Sequence, residues 1–225
     1  MTTPPRPAFL FDLDGTLVDT VGVRVDAWMD VFQRFGIEAD RGFVGSLMGS
    51  DGKRVAREAA GQAGRELEPG VDAEIDRLAG ERFGQLNRRP TALPGAGEIL
   101  AWLDRAGMPW AIATSSRREE AGPSVKALGL AREPLVADGG DVEHAKPAPD
   151  LLLKAAHELG VDPAVTRYVG DSRWDMEAAV AAGMVPIGVA TGATSEPDLQ
   201  NAGAQATFPT LRALLDTLES GEAGR

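Results

Sequence analysis

The stretch that most constrains the fold is an apolar run near the N-terminus that ends in two acidic residues. Residues 8–11 have the character of a short buried strand, and Asp12, Asp14 and the turn residue Gly15 follow directly. Ligands of open α/β sheets bind beyond the carboxyl ends of the strands, so such a strand would bring two carboxylates into that crevice. Taken alone, the motif is equally compatible with a turn or a helix cap.

The composition limits the partners that the chain can have. Its 225 residues suit one large domain or a domain with an insertion, and its net charge is -11. That charge argues against general binding to nucleic acids or membrane surfaces, because both are polyanionic. A small phosphate could still bind if a metal cation or a local group of donors received it.

Other features of the composition exclude further classes of protein. The chain has no cysteine, which rules out disulfides and thiolate chemistry. No apolar stretch approaches the roughly 18 residues of a membrane-spanning helix. Residues 1–7 contain three prolines and no apolar core, so they are interpreted as a flexible leader rather than a signal peptide. We therefore expect a cytoplasmic protein.

The segment after the first strand has a helical pattern. Trp28, Val31, Phe32 and Phe35 recur at the spacing of one helix face. Residues 42–89 continue as short helical pieces broken by glycines, with no convincing strand. This pattern predicts a helical cap domain at residues 21–90, inserted into a core domain formed by residues 1–20 and 91–225.

The rest of the chain alternates between strands and helices. Buried strands are predicted at residues 110–114, 135–137, 167–169, 185–189 and 206–208. Helices are predicted at residues 97–106, from the second strand to about residue 128, and at residues 150–159 and 211–218. This alternation predicts an α/β fold with a doubly wound, Rossmann-like parallel sheet.

Polar side chains follow several of these strands. They form four groups, which are Asp12 with Asp14, Thr114 with Ser115, Lys146, and Asp171 with Asp175. Each group alone could be a cap, a surface charge or a turn. Their joint occurrence at the same edge of a parallel sheet predicts one site.

The order and spacing of these four groups resemble the haloacid dehalogenase superfamily of phosphohydrolases. Its motifs are Asp-x-Asp-x-Thr, a Ser or Thr after a strand, a Lys, and Gly-Asp-Ser or Gly-Asp-Thr followed by another Asp. The resemblance covers essentially the whole chain, and the helical insertion is similar to the type-one cap of that superfamily. It implies the Rossmann-like core with an inserted helical cap.

The chemistry of these residue types agrees with the resemblance. Four carboxylates in one crevice repel one another unless a cation lies among them, and hard oxygen ligands suit Mg2+. If Asp12 attacks phosphorus, an aspartyl-phosphate forms, and Asp14 can protonate the leaving alcohol and then activate water. Thr114 and the Ser115 N–H would hold phosphate oxygens, and Lys146 would neutralise the charge on the phosphoryl group.

The resemblance also implies the metal ligands. Mg2+ would be held by the Asp12 carboxylate, the Asp14 backbone carbonyl and Asp171, with Asp175 either a ligand or a group that positions one. Gly15 and Thr16 of the first motif are assigned, together with Ser115, to the phosphate-binding residues.

Within the superfamily, the motifs resemble phosphoglycolate phosphatases and β-phosphoglucomutases. Asp14 disfavours the dehalogenases and the phosphonoacetaldehyde hydrolases, although Lys53 weakly resembles the cap lysine of the phosphonoacetaldehyde hydrolases. Lys53 could also be an exposed helix charge or a substrate contact. Many relatives carry His where this chain has Arg24, which could bind a second anionic group or pair with a neighbour such as Asp26.

The cap loop, residues 49–54, faces the active site in relatives and would set specificity. It contains Lys53 and Arg54, which favour an anionic or hydroxyl-rich substrate. We therefore predict a Mg2+-dependent phosphatase, active as a monomer or homodimer, that hydrolyses a small phosphorylated metabolite through an aspartyl-phosphate. The alternative is a phosphosugar mutase. A phosphonate hydrolase and a non-catalytic regulatory protein rank below it.

Overall fold

The strands lie where the buried apolar runs predict them. The computed structural model describes residues 7–221, so the predicted leader lies outside it except for Pro7. The strands are β1 Ala8–Phe11, β2 Val18–Asp19, β3 Thr91–Ala92, β4 Trp110–Thr114, β5 Val136–Asp138, β6 Thr166–Gly170, β7 Val185–Val189 and β8 Ala206–Phe208. The six predicted strands, which correspond to β1 and β4 to β8, are confirmed, and the bounds of β5 and β6 differ from the prediction by one residue.

Six of these strands form one parallel sheet in the order β5-β4-β1-β6-β7-β8. The central strand is β1, in which Phe11 pairs with Ile112 of β4 on one side and Val169 of β6 on the other. The carboxyl ends of β4, β1 and β6 are therefore neighbours. The predicted α/β fold with a doubly wound parallel sheet is confirmed.

Helices connect the strands and cover the sheet. They are α1 Val21–Arg34, α2 Arg41–Ser46, α3 Gly52–Gln62, α4 Val71–Leu86, α5 Ala96–Ala106, α6 Arg118–Ala127, α7 Asp150–Leu159, α8 Arg173–Ala181, α9 Glu196–Asn201 and α10 Leu211–Glu219. Within residues 7–221, none of them is long and apolar enough to cross a membrane.

The sheet is buried on both faces because successive side chains of a strand point to opposite sides. In β1, Phe9 and Phe11 pack in one core with Ile99 and Leu103 of α5. Leu10 packs in the opposite core with the alanines of β4 and with α7 and α8. This double burial explains why the strands are continuous apolar runs.

Helices α1 to α4 pack around a hydrophobic cluster of their own, which includes Trp28, Phe32 and Ile75. Trp174 of α8 is 4% exposed and also packs in this cluster. At the base of the insertion, β2 and β3 form an antiparallel pair in which Val18 faces Ala92. Sequence reasoning missed this pair because two residues are too few to show a strand period.

Candidate active site

Three neighbouring strands deliver polar side chains to one edge of the sheet. Asp12 follows β1, Thr114 ends β4, and Asp171 follows β6. The backbone of Asp12 still belongs to the sheet, since its N–H donates to the carbonyl of Val169 at 2.9 Å. The chain then turns at Gly15, whose φ of 87° strongly favours glycine.

A buried ammonium group lies at the centre of the site. Lys146 is 1% exposed, although its loop is distant from β1 in sequence. Its Nζ donates to Asp12 Oδ1 at 2.7 Å and to Asp175 Oδ1 at 2.8 Å. The hydroxyl of Tyr168 lies 3.1 Å from the same Asp175 oxygen. Lys146 therefore links the first and the last acidic motif.

The second oxygen of Asp175 caps α8. It accepts hydrogen bonds from the Ser172 N–H at 3.0 Å and the Ser172 hydroxyl at 2.6 Å, which completes a capping box. Both carboxylate oxygens of Asp175 are thus engaged by protein donors. Asp175 therefore positions Lys146, and its part in a metal site stays a prediction.

Asp171 is enclosed by glycine backbone. Its Oδ1 accepts a hydrogen bond from the Thr16 hydroxyl at 2.7 Å. A Cβ added at Gly192 would lie 1.7 Å from Asp171 Oδ2, and one added at Gly15 would lie 2.6 Å from it. The missing side chains at these two positions leave the space that the carboxylate occupies.

Burial and mutual repulsion determine the charge states of this cluster. Burial raises the pKa of Asp12 to about 7, although Lys146 opposes the shift. Burial, followed by repulsion from Asp175 and Asp12, raises the pKa of Asp171 well above its usual range. Burial by itself would lower the pKa of Lys146, but the two carboxylates beside it outweigh burial and raise that pKa.

These carboxylates fit a divalent cation. Asp12, Asp171 and Asp175 each offer an oxygen, and the three atoms lie within 4.8 Å of one another. Hard oxygen donors whose anionic forms repel one another are the donor set that Mg2+ and similar ions neutralise.

Asp14 belongs to a second network beside the first. Its Oδ1 accepts from the Thr20 hydroxyl at 2.6 Å, and its Oδ2 accepts from Arg24 Nη2 at 3.2 Å and from the Ser116 hydroxyl. The side chain of Asp14 is 15% exposed and lines the same cleft as Asp12. The two carboxylates of the first motif therefore share a cleft but have different partners.

Arg24 ties the helical insertion to the core. Besides Asp14, it binds Ser116 Oγ at 2.7 Å and Glu120 Oε2 at 3.0 Å. Its guanidinium lies 3.6 Å from the ring centroid of Phe83. Of the two roles predicted for Arg24, pairing is the one seen, but its partners are these acids rather than Asp26, which pairs with Arg41.

The cleft lies between the sheet edge and the helical insertion. The core contributes the first group of lining residues, namely Asp12, Asp14, Thr114, Ser115, Ser116, Arg117, Glu120, Gly139, Val142, Ala145, Leu151, Asp171 and Ser172. The insertion contributes the second group, namely Val21, Arg24, Trp28, Met48, Gly49, Ser50, Asp51, Gly52, Val55, Asp76 and Gly80. Ser115 also contacts the cap loop, because its hydroxyl donates to the Gly49 carbonyl at 3.2 Å.

Four predicted binding residues lie outside this lining. Gly15 and Thr16 support it from behind, since the Gly15 carbonyl accepts from the Thr191 hydroxyl and Thr16 binds Asp171. Lys53 is exposed on α3. The Arg54 guanidinium lies 4.3 Å from the ring centroid of Trp174, and its Nε binds Glu58 at 2.5 Å. The cap loop contributes backbone and an acid to the cleft, instead of these two cations.

Sequence reasoning missed several residues of the site, namely Ser116, Glu120, Asp76, Tyr168 and Gly192. Ser116 carried the best signal, because it stands two residues after Thr114 at the end of a predicted strand. The others had no motif. Glu120, Asp76 and Gly192 reach the site through contacts between elements distant in sequence, whereas Tyr168 lies on β6, just before Asp171.

Comparison with known proteins agrees with this architecture. Residues 9–189 match the family described as haloacid dehalogenase-like hydrolase. The chain is 34% identical over 185 residues to hexitol phosphatase A of Escherichia coli, covering 80% of this chain and 82% of that protein. It is 30% identical over 228 residues to a phosphoglycolate phosphatase of Pseudomonas putida, covering 95% and 79%. A crystal structure of a hydrolase from Pseudomonas syringae superposes with a TM-score of 0.88 at 30% identity, covering 96% and 99%.

The chain belongs to the haloacid dehalogenase-like hydrolase family, as its motifs predicted. Its curated relatives are named as phosphatases, and it is a phosphoric monoester hydrolase.

Proposed function

We propose that the protein is a Mg2+-dependent phosphatase that hydrolyses a small-molecule phosphate monoester through an aspartyl-phosphate on Asp12. The observation that carries the proposal is the position of Asp12, which is bonded to the Lys146 ammonium beside Asp171 while Asp14 lies in a separate network facing the same cleft. This arrangement separates a nucleophile from an acid and base. The names of the relatives support small phosphorylated metabolites as substrates.

In the first step, an oxygen of the Asp12 carboxylate forms a bond to phosphorus and the ester P–O bond breaks. Asp14 gives its proton to the leaving alcohol. Thr114 and the Ser115 N–H hold oxygens of the phosphoryl group, and Lys146 offsets the negative charge that spreads over it.

In the second step, Asp14 takes a proton from water, whose oxygen attacks phosphorus. The bond between phosphorus and Asp12 breaks, phosphate leaves, and both carboxyl groups regain their first state. Mg2+ would be held by the carboxylates of Asp12 and Asp171 and by the Asp14 carbonyl, and it would supply positive charge that offsets the negative charge of the phosphoryl group. Asp175 would hold Lys146 in place.

Residues 21–90 would act as a cap over a core formed by residues 1–20 and 91–225. The contacts of Arg24 with Glu120 and of Ser115 with Gly49 would close the cap on the substrate, which excludes water other than the attacking one. The antiparallel pair β2–β3 joins the two segments that connect these regions.

The test is phosphate release from p-nitrophenyl phosphate, with and without Mg2+, by the wild type, Asp12→Asn and the control Asp216→Asn. Asp216 lies on α10 with its side chain 57% exposed, so the control should keep full activity. We expect release to require both Mg2+ and Asp12. Full activity of Asp12→Asn would refute the assignment of Asp12 as the nucleophile. Transfer of the phosphoryl group to a second sugar hydroxyl, with a bisphosphate intermediate, would indicate the mutase instead.

A further inference from the structure

Besides the proposed reacting groups, the cleft is lined by three acids and two guanidinium groups. The acids are Asp51, Asp76 and Glu120, and the cations are Arg24 and Arg117. Among the cleft-lining residues of the described chain, these are the charged groups other than Asp12, Asp14 and Asp171. We call these five residues the outer wall.

Both guanidinium groups of the outer wall are already shared between two carboxylates. Arg24 binds Asp14 at 3.2 Å and Glu120 at 3.0 Å. Arg117 binds Glu120 at 2.9 Å and also Asp76. An anionic group that approached either guanidinium would also approach the carboxylates already bound to it, and this repulsion is unfavourable in a partly buried site.

The backbone of α4 holds these pairs in place. A Cβ added at Gly80 would lie 2.4 Å from Glu120 Oε1 and 2.8 Å from Arg117 Nη1. The Glu120 side chain is 11% exposed. Burial raises the pKa of Asp76, with Arg117 opposing and Glu120 and Asp51 adding repulsion, so the region already resists further negative charge.

The same wall suits neutral hydroxyl groups. Carboxylate oxygens accept hydrogen bonds from hydroxyls, and they have more acceptor positions than their arginine partners occupy. Trp28, Met48 and Val55 give the cleft an apolar side that can contact carbon atoms.

We propose that the outer wall selects phosphate esters of uncharged, hydroxyl-rich alcohols, such as polyol and sugar phosphates, and rejects esters that carry a second anionic group. This inference rests on the proposed phosphatase function, since the ester phosphate must lie at Asp12. The sequence analysis left an anionic and a hydroxyl-rich substrate open, and this proposal selects the hydroxyl-rich one.

The test compares substrates that differ only in a second charge. The first pair is glucitol 6-phosphate and 6-phosphogluconate, and the second is glycerol 3-phosphate and 3-phosphoglycerate. We expect kcat/KM of the wild type for the uncharged member to exceed that for the acid by at least about tenfold in both pairs. A preference for the acid member would overturn the proposal.

A substitution in the outer wall tests whether the wall causes the substrate preference. Glu120→Gln removes the negative charge that pairs with both guanidinium groups. The ratio of kcat/KM for the uncharged member to kcat/KM for the acid should therefore fall by about tenfold or more. Glu119→Gln, an exposed neighbour on α6 that does not line the cleft, should leave the ratio unchanged. If Glu120→Gln does not fold, Asp51→Asn should lower the ratio in the same direction. An unchanged ratio in the folded variant would overturn the proposal.

p-Nitrophenyl phosphate separates this proposal from the phosphatase function. Hydrolysis of this ester that depends on Asp12, without any preference within the two pairs, would refute only the selectivity. If the enzyme hydrolyses none of these esters, both the proposed phosphatase function and the proposed selectivity are refuted.

Discussion

The ammonium of Lys146 lies 2.7 Å from Oδ1 of Asp12, and the two side chains are 0% and 6% exposed. A second carboxylate, that of Asp175, lies 2.8 Å from the same nitrogen. One buried cation thus compensates two buried anions, so this relationship serves stability as well as catalysis.

Replacing Lys146 with Met should therefore lower both properties. The variant leaves two buried carboxylates without their cation, and we expect the free energy of unfolding to fall by about 3–5 kcal/mol. Activity on p-nitrophenyl phosphate should fall by at least about a hundredfold, because the charge on the phosphoryl group is no longer offset. Urea denaturation and steady-state kinetics measure the two effects. Lys126→Met, at an exposed position of α6, is the control, and equal behaviour of both variants would contradict the assignment.

Gly192→Ala should disturb the site while the fold is kept. The added Cβ would lie 1.7 Å from Asp171 Oδ2, so the carboxylate must move. A displacement of about 1 Å at a catalytic group can cost about a hundredfold in rate, and we expect kcat/KM to fall by that order.

The matched control for this prediction is Gly61→Ala. A Cβ there meets nothing within 4 Å, so activity should stay at the wild-type level, and stability should be unchanged or higher by up to about 1 kcal/mol. Circular dichroism would establish that both variants fold. Wild-type activity of a folded Gly192→Ala enzyme would show that Asp171 tolerates the shift.

Arg24→Lys should affect turnover more than binding. Arg24 is a positioning residue, because its fork binds Asp14, Ser116 and Glu120 together, and a lysine ammonium cannot reproduce that geometry. We expect kcat on p-nitrophenyl phosphate to fall by about tenfold or more while KM changes little, with an altered pH–rate profile.

Arg34→Lys is the control for this change, since Arg34 is exposed on the same helix. A proportional rise in KM at constant kcat would instead assign Arg24 to uniform substrate binding.

His144 gives a pH-dependent contact that can be observed directly. Its Nδ1 lies 3.0 Å from Asp150 Oδ1, and this hydrogen bond, with the charges of Asp150 and Glu143, raises the pKa of His144 above 6.5. The contact therefore stabilises the fold below the unfolded-state pKa, and this stabilisation is lost as pH rises through the folded-state pKa.

An NMR titration of the imidazole C–H signals measures this pKa. In Asp150→Asn it should return towards the ordinary value of 6.5. The difference in stability between the two proteins should shrink as pH rises through the titration. A pKa that is the same in both proteins would show that the contact does not form in solution.

Local patterns were sufficient for the six strands of the parallel sheet and for most helices. The apolar runs at Trp110–Thr114 and Val185–Val189 predicted those strands to the residue, because a strand buried on both faces must be continuously apolar. The strand-end positions of Asp12, Thr114 and Asp171 followed, since parallel strands end at the same edge of a sheet.

Partners across the cleft could not be predicted in the same way. The sequence leaves two roles open for Arg24, namely binding an anion and pairing with a neighbouring acid. The choice of Asp14 and Glu120 depends on how the fold places α1 relative to β1 and α6. The position of Lys53 outside the cleft likewise depends on how α3 is turned, which its local charge pattern does not specify.

The sequence by itself determined the family, the α/β class and the order of the acidic motifs along the chain. Each of these properties can be derived from residue types and their spacing along the chain. Only the tertiary structure decided that Lys146 bridges Asp12 and Asp175, that Thr16 binds Asp171, and that Glu120 occupies both arginines of the outer wall. These contacts join residues separated by 29 to 155 positions, apart from Arg117 and Glu120 at the start of α6. Contacts between residues so distant in sequence arise from packing rather than from local pattern.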